Sequence, residues 1–427
     1  MATKGLGPAV NALPRDETWS DEERREHQRE RITAMLREVL PTNRFYQRKL
    51  GASVPPDDWD ALPFTTKTEL SQDQADHPPY GTTLTYPLER YVRLHQTSGT
   101  TGRPLRILDT ADSWRWWSGL WGRVYRAAGV TAADRVYFAF SFGPFIGFWS
   151  AFAGAEALGA LSLSGGAQSS AERLAQIIAT EATVLLSTPT YALRLAEVAR
   201  EEGIDLARSK LRVSIHAGEP GASIPATRER IESSLGVTAF DHTGATEIGA
   251  TGFSCPARDG VHLIESEFKV EILDAAGAAS EDGEGELVLT NLGRWGSPVI
   301  RYRTGDRVNA VRGTCACGRT LVKLLGGIQG RVDEMITVRG VNVFPSALEG
   351  IVRRFTEVDE FRIEHYRERG MDAIRCTVEP RGADAELPAR IAAAIHRDSG
   401  IRCGVAVVPT GTLPRFEAKA RRFIRQT

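Results

Sequence analysis

The sequence is poor in several things, and each shortage excludes something. Cysteine is scarce: five in 427 residues, an odd and small number. Five thiols do not make a disulfide framework, so a disulfide-built secreted scaffold is excluded and a reducing, cytoplasmic setting is expected. Neither sign of charge is in excess, with 53 Lys and Arg against 54 Asp and Glu. No overall basic field marks nucleic acid as a partner. Lysine is scarce beside arginine, so each lysine in a loop or glycine-rich context draws attention. The stretch MATKGLGPAVNALPRDETWSDEE lacks the apolar core of a secretory signal. Tandem repeats and low-complexity tracts are also missing. Only Val136 to Ala155 runs for twenty residues without a charge, long enough to span a bilayer. Gly143, Pro144 and Gly147 interrupt it and Glu156 follows. A strand, a glycine-proline turn and a small-residue helix explain that run better than a membrane span.

What is present reads as a globular protein. Hydrophobic residues make up 42% and charged residues 25%, ordinary values for a folded domain. The length fits two or three domains. Ser20 and Glu23 form a capping box ahead of a charged amphipathic helix that runs to about Leu40. Beyond Thr110, strand and helix alternate: RVYFAF, AERLAQIIAT, TVLLSTP, TYALRLAEVAREEG, LRVSIHAG, IPATRERIESSLG, VTAFDHTG. That alternation predicts right-handed crossovers and a mostly parallel sheet with helices on both faces. From about Phe268, the strands FKVEILD, GEGELVLTNL and PVIRYRTGD follow one another with turns, as in an antiparallel or barrel-like subdomain. After Arg331 the pattern becomes a compact α+β unit. The expected fold is therefore α/β, with a large domain over 1–330 and a small domain over 331–427.

Ligands gather beyond the carboxyl ends of the strands in open parallel sheets. Three loops fall there: HAGEP, DHTGATE, and the SGG of Ser164 to Gly166. A fourth, TSGTTGRP at 97–104, crowds hydroxyls and glycines together. Glycines let backbone N–H groups approach an anion, and Ser and Thr add donors without bulk, so this loop suits a polyphosphate. It is not a Walker loop, because G-x-x-x-x-G-K-[S/T] is absent.

TSGTTGRP at 97–104, TGATE at 243–247, YRTGD at 302–306, GRVDEMITVRGVNVFPSALE at 330–349 and PRFEAKARRF at 414–423 together resemble the ordered motifs of adenylate-forming acyl-CoA synthetases. The pattern is most similar to the phenylacetate–CoA ligase family, along nearly the whole chain. The resemblance implies that Thr97, Ser98, Gly99, Thr100, Thr101 and Gly102 close over the β- and γ-phosphates of ATP, with Arg103 where the family often has lysine. Glu219, Pro220, Asp241, His242 and Thr243 would border adenine; the family's tyrosine before Gly-x-Thr-Glu is Thr243 here, and His242 is its neighbour. Thr246 would meet the α-phosphate and Glu247 would hold Mg²⁺. Asp306 would accept the ribose hydroxyls and Arg331 would help hold the nucleotide, with Asp333 at the hinge. Lys419 would reach the α-phosphate and the carboxylate. The family rotates its small domain between two half-reactions, so a mobile small domain is implied.

The resemblance also implies that the acyl group lies near the turn after VYFAF, which here is SFGPFIGFWS. Phe142, Phe145 and Ile146 make a flat apolar slot in this reading, shortened by His216, Ala217 and Gly218; the alternative is that these aromatics are core. A short slot favours a benzoate- or phenylacetate-sized acid. The implied function is ATP-dependent activation of an aromatic carboxylic acid and transfer to coenzyme A. The alternative acceptor is an amine or an acyl carrier protein thiol. A homodimer is an open possibility. Separately, Cys255 and His262 stand seven apart and Cys315 and Cys317 flank Ala316 at turns. Together they make a Cys₃His set for structural Zn²⁺, or else three unrelated thiols and a surface histidine.

Overall fold

The computed structural model describes residues 12–51, 59–97, 104–338, 341–368, 371–416 and 420–426. The capping box opens α1 (Asp21–Val39) as expected. Its Ile32, Met35, Leu36 and Val39 enter the main core. Two short helices follow, α2 (Arg44–Leu50) and α3 (Lys67–Asp76). Strands β1 (Tyr91–Gln96) and β2 (Arg106–Thr110) pair antiparallel. They bracket the loop that carries Ser98 to Arg103, which lies outside the described residues.

The alternating region folds as its pattern implies. Helix α4 (Ala111–Ala127) leads to β3 (Arg135–Phe138), α5 (Ile146–Leu158), β4 (Leu161–Ser164), α6 (Ser170–Ala179), β5 (Val184–Ser187), α7 (Pro189–Glu201), β6 (Val213–His216), α8 (Pro225–Leu235) and β7 (Thr238–Ala245). Strands β4, β3, β5, β6 and β7 are parallel neighbours in that order. Successive side chains on a strand face opposite ways, and the core divides accordingly. Val136, Phe138, Val184 and Leu186 pack with Trp117 and Trp121 of α4 and Ala151 and Ala155 of α5. Tyr137 and Leu185 pack with α6, α7 and α8 through Leu174, Leu195 and Ile231. Both faces of the parallel half are thus covered, which is what permits its continuous apolar strands.

The apolar run from Val136 supplies β3, a turn and α5. No helix among the described residues is long and apolar enough to cross a membrane.

The antiparallel strands continue the same sheet. Strand β7 also pairs with β8 (Gly249–Phe253), followed by β9 (Gly260–Leu263). The rest are β10 (Phe268–Leu273), β11 (Ala279–Ser280), β12 (Gly283–Asn291), β13 (Tyr302–Val311), β14 (Lys323–Leu325) and the short β15 (Gly330–Arg331). Beyond β9 the order is β14, β13, β12, β10, β11, with β15 against β13. The two textures of the sequence are two halves of one sheet, joined through β7.

The small unit begins with the hairpin β16 (Ile336–Val338) and β17 (Val341–Val343) and the helix α9 (Pro345–Arg353). Strands β18 (Val358–Glu368) and β19 (Met371–Pro380) follow, then α10 (Leu387–Ser399), β20 (Cys403–Val407) and β21 (Phe423–Arg425). Its mixed sheet has the order β20, β19, β18, β21. A separate apolar cluster spans Ile336 to Cys403. Polar contacts dock it on the large unit: Arg415 Nε donates to Glu197 at 3.1 Å, and Arg422 Nη1 to the Thr190 hydroxyl at 3.0 Å.

Candidate active site

The loop expected to bind phosphate is anchored at its base. Thr97 N–H donates to Leu105 O, and Leu105 N–H returns a bond to Thr97 Oγ1, both at 3.0 Å. Gln96 N–H donates to Pro144 O at 2.8 Å. The base of this loop is therefore tied to the turn expected to face the acid. Lys419 lies outside the described residues, as do Ser98, Gly99, Thr100, Thr101 and Gly102.

Thr246 and Glu247 sit in the tight turn between β7 and β8. The carbonyl of Thr246 accepts Arg294 Nη1 at 2.7 Å, and Arg294 is itself held by both oxygens of Asp109 at 2.7 Å, fully buried. Glu247 is buried, and its Oε1 lies 3.0 Å from Lys67 Nζ and 3.4 Å from the Tyr302 hydroxyl. A buried carboxylate without a partner would cost several kcal/mol, so Lys67 stabilises this turn. Tyr302 is the first residue of β13, and burial, then the Glu247 charge, holds its phenol well above its ordinary range.

Asp306 is the fifth residue of the same strand and pairs across to Arg331 of β15. Arg331 Nη1 stands 3.3 Å from Asp306 Oδ1 and donates to Thr304 O at 2.8 Å; Nε donates to Asp333 at 3.1 Å. Burial pushes the Asp306 carboxyl up to about 6 although Arg331 pulls the other way. The guanidinium passes over Gly305, whose φ is +76°. A Cβ there would lie 2.6 Å from Arg331 Nη2, so both the backbone and the space call for glycine.

The residues expected to border adenine are tied down by neighbours. Asp241 is buried; its carboxylate accepts the Ser223 N–H at 3.0 Å and the Ser223 hydroxyl. Burial lifts its pKa to about 6. His242 Nδ1 is 2.7 Å from Gly252 O, and its ring centroid is 4.3 Å from that of Trp121 in α4. Burial holds it neutral, near 4. Thr243 shares a 3.0 Å hydroxyl contact with Thr251. Glu219 accepts Thr190 N–H at 2.8 Å and Ala420 N–H at 3.1 Å, while Pro220 is exposed.

The aromatic turn does not gather as one flat slot. Ile146 is buried in the main core as the first residue of α5, and Phe145, at its N-cap, is 42% exposed. Phe142 alone of the three is half-buried. It meets Trp149 edge-on at 4.8 Å and Phe152 at 5.7 Å. His216 is buried at the end of β6 between Ser214 at 2.8 Å and Ser187 at 3.3 Å, and burial lowers it to about 4. Ala217 N–H donates to Ser187 O, and Gly218 is exposed with φ +95°.

Residues 340–426 match the AMP-binding enzyme C-terminal domain. Over 95% of its length, this chain is 34% identical to a phenylacetate-coenzyme A ligase of Pseudomonas putida, covering 94% of that protein. The chain belongs to the phenylacetate–CoA ligase family. Its fold superposes on 2-hydroxyisobutyryl-CoA ligase in the postadenylation state, with a TM-score of 0.92 at 30% identity, covering 100% of this chain and 95% of the other. Against the same enzyme in the thioesterification state the TM-score is 0.74, at 31% identity and coverage of 100% and 94%. The two units of this phenylacetate–CoA ligase relative are thus arranged as in the postadenylation form.

The Cys255, His262, Cys315, Cys317 set comes together beside β8 and β9, with all four ligand atoms within 4.8 Å of one another. Cys376 and Cys403 are buried in the small unit, apart from this group. Sequence reasoning missed Lys67 as the partner of Glu247. A signal existed: lysine is scarce, and Thr66 with Glu69 forms a capping box that sets Lys67 at the first position of α3. Nothing local pointed to Glu219 as a bridge between the two units.

Proposed function

We propose that this AMP-forming acid–coenzyme A ligase takes a small aromatic carboxylic acid. A carboxylate oxygen attacks the α-phosphorus of ATP, an O–P bond forms, and the bond to pyrophosphate breaks. The thiol sulfur of coenzyme A then attacks the acyl carbon, and AMP leaves.

Repulsion between the carboxylate and the triphosphate is the barrier to the first step, so fixed positive charge and positioning do most of the work. In our reading Asp306 accepts the ribose hydroxyls and Arg331 packs over the nucleotide. Thr246 meets the α-phosphate, and Lys419 brings its ammonium to the reacting oxygens. The loop 97–102 encloses the outer phosphates, and Asp333 lies at the hinge to the small unit. Glu247 would hold Mg²⁺: it is a buried carboxylate in the turn beside Thr246, Mg²⁺ commonly takes one carboxylate beside phosphates and water, and the ion would take the place of Lys67, now 3.0 Å away. Bound there, the ion neutralises phosphate charge. Zn²⁺ belongs to the reading as a structural ion at Cys255, outside the reaction.

The observation that carries the aromatic reading is the ring cluster of Phe138, Phe142, Trp149 and Phe152 at the head of α5. It lies beside the SGG turn, where a Cβ on Gly166 would touch the Phe142 ring. The relative's name, phenylacetate-coenzyme A ligase, supports the same class. The test is acid-dependent pyrophosphate release over benzoates, aminobenzoates, hydroxybenzoates, phenylacetates and 2-hydroxyisobutyrate, with and without coenzyme A. An aromatic acid should give the highest kcat/KM and need coenzyme A for turnover. A preference for 2-hydroxyisobutyrate would overturn the aromatic assignment. Turnover with a carrier-protein thiol but not coenzyme A would overturn the acceptor.

A further inference from the structure

We infer that Cys255, His262, Cys315 and Cys317 bind a structural Zn²⁺ ion that fixes the two ATP-binding strands, β7 and β13, relative to one another. Ligands on a tetrahedral zinc ion stand ~2.3 Å (sulfur) and ~2.0 Å (nitrogen) from the metal, which puts two sulfurs about 3.8 Å apart and sulfur and nitrogen about 3.5 Å apart. The chain holds Cys255 Sγ 3.8 Å from Cys315 Sγ, and Cys317 Sγ 3.6 Å from His262 Nε2. A disulfide needs sulfurs about 2 Å apart, and all these cysteines are free thiols.

The surroundings are also those of a metal site. His262 Nδ1 stands 3.1 Å from Leu321 O. Donating there fixes the tautomer and leaves Nε2 free to ligate, the usual outer partner of a zinc histidine. Cys315 and Gly318 close a tight turn, with Gly318 N–H on Cys315 O at 2.8 Å and Cys315 N–H on Arg319 O at 2.9 Å. Three thiolates and one Zn²⁺ leave one negative charge. Lys323 Nζ lies 3.8 Å from Cys315 Sγ to offset it. His262 and Cys255 are fully buried and Cys317 is half-buried; four protein ligands complete a tetrahedral shell and leave no open position for chemistry.

The consequence for ATP follows from what each ligand adjoins. Cys255 comes directly after Ser254. The Ser254 hydroxyl accepts Asp241 N–H at 2.5 Å and donates to Asp241 O at 2.9 Å. Cys315 and Cys317 lie in the hairpin between β13, which carries Asp306, and β14, which pairs Lys323 with His262. One ion therefore ties the strand beside Asp241 to the hairpin of Asp306. That link to ATP rests on the ligase reading; the metal itself does not.

The test begins with the full chain purified without chelator. Elemental analysis should find about one zinc per chain, and Co²⁺ exchanged into it should give thiolate-to-cobalt charge-transfer absorption. Cys255→Ser and Cys317→Ser should lose at least nine-tenths of the zinc, whereas Cys403→Ser retains it. Zinc-free wild-type protein with no cobalt spectrum would overturn the metal site, whatever the variants do. The folded Cys317→Ser chain should show a several-fold higher KM for ATP. Lost zinc with an unchanged KM for ATP would overturn this positioning role.

Discussion

The carboxylate of Glu219 accepts the backbone N–H of Ala420 at 3.1 Å, while its other oxygen accepts the N–H of Thr190 at 2.8 Å. One side chain of the large unit thus holds the backbone one residue beyond Lys419. Hydrogen bonds to a charged group are worth about 1.5–3 kcal/mol, and about 1.4 kcal/mol is tenfold. Glu219→Ala should therefore slow acid-dependent pyrophosphate exchange by about tenfold or more. Transfer from a supplied acyl-adenylate to coenzyme A should be unchanged, because on the proposed reading that step uses another domain arrangement. Equal losses in both half-reactions would remove Glu219 from this docking role.

Lys419→Ala should separate the half-reactions more sharply. A single preorganised donor at developing charge is worth about 10²–10³ in rate, and pyrophosphate exchange should fall by that much. Thioester formation from the same supplied adenylate should persist. Exchange at the wild-type rate would sink the assignment of this lysine.

What could be read from the sequence depended on range. The parallel half was legible because each of β3, β5 and β6 is a short apolar run flanked by an amphipathic helix, and those periods are local. Asp306 drew attention through its motif and as the end of an expected strand, but not as a strand interior. It lies inside β13 because that strand continues past a register shift against Glu286 and Val288. The joining of the two halves through β7 has no local signal, since β7 pairs parallel on one side and antiparallel on the other. The cysteine set depended on β14 returning beside β9, a pairing of residues about 60 positions apart. The expected slot of Phe142, Phe145 and Ile146 failed as a unit because α5 begins inside it, and the first helical turn directs Ile146 into the core.

Asp306 also predicts a pH dependence. Its folded pKa, about 6, is above its ordinary 3.8. Between those values the folded chain keeps a proton that the unfolded chain releases, so this group disfavours folding as pH rises through that window. Ribose recognition has the opposite sign, because only the carboxylate accepts from both hydroxyls. KM for ATP should therefore rise as pH falls below about 6. Asp306→Asn should weaken ATP by at least tenfold at pH 8 and flatten the acid limb. A limb unchanged in Asp306→Asn would assign the titration to Asp241, which is raised to the same range.

Gly305→Ala tests the cradle under Arg331. A left-handed residue other than glycine costs ~1–2 kcal/mol, and the new methyl would stand 2.6 Å from Arg331 Nη2. The guanidinium is the end of a flexible side chain, so it yields before the backbone does and moves away from Asp306. The variant should lose a few degrees of Tm and show a several-fold higher KM for ATP. Gly129→Ala is the control: φ is +69° there, but nothing lies within 4 Å of the new Cβ. It should cost similar stability and leave KM for ATP unchanged. If the two variants shift KM alike, the Arg331 contact does not bear on the nucleotide and the effect is only backbone strain.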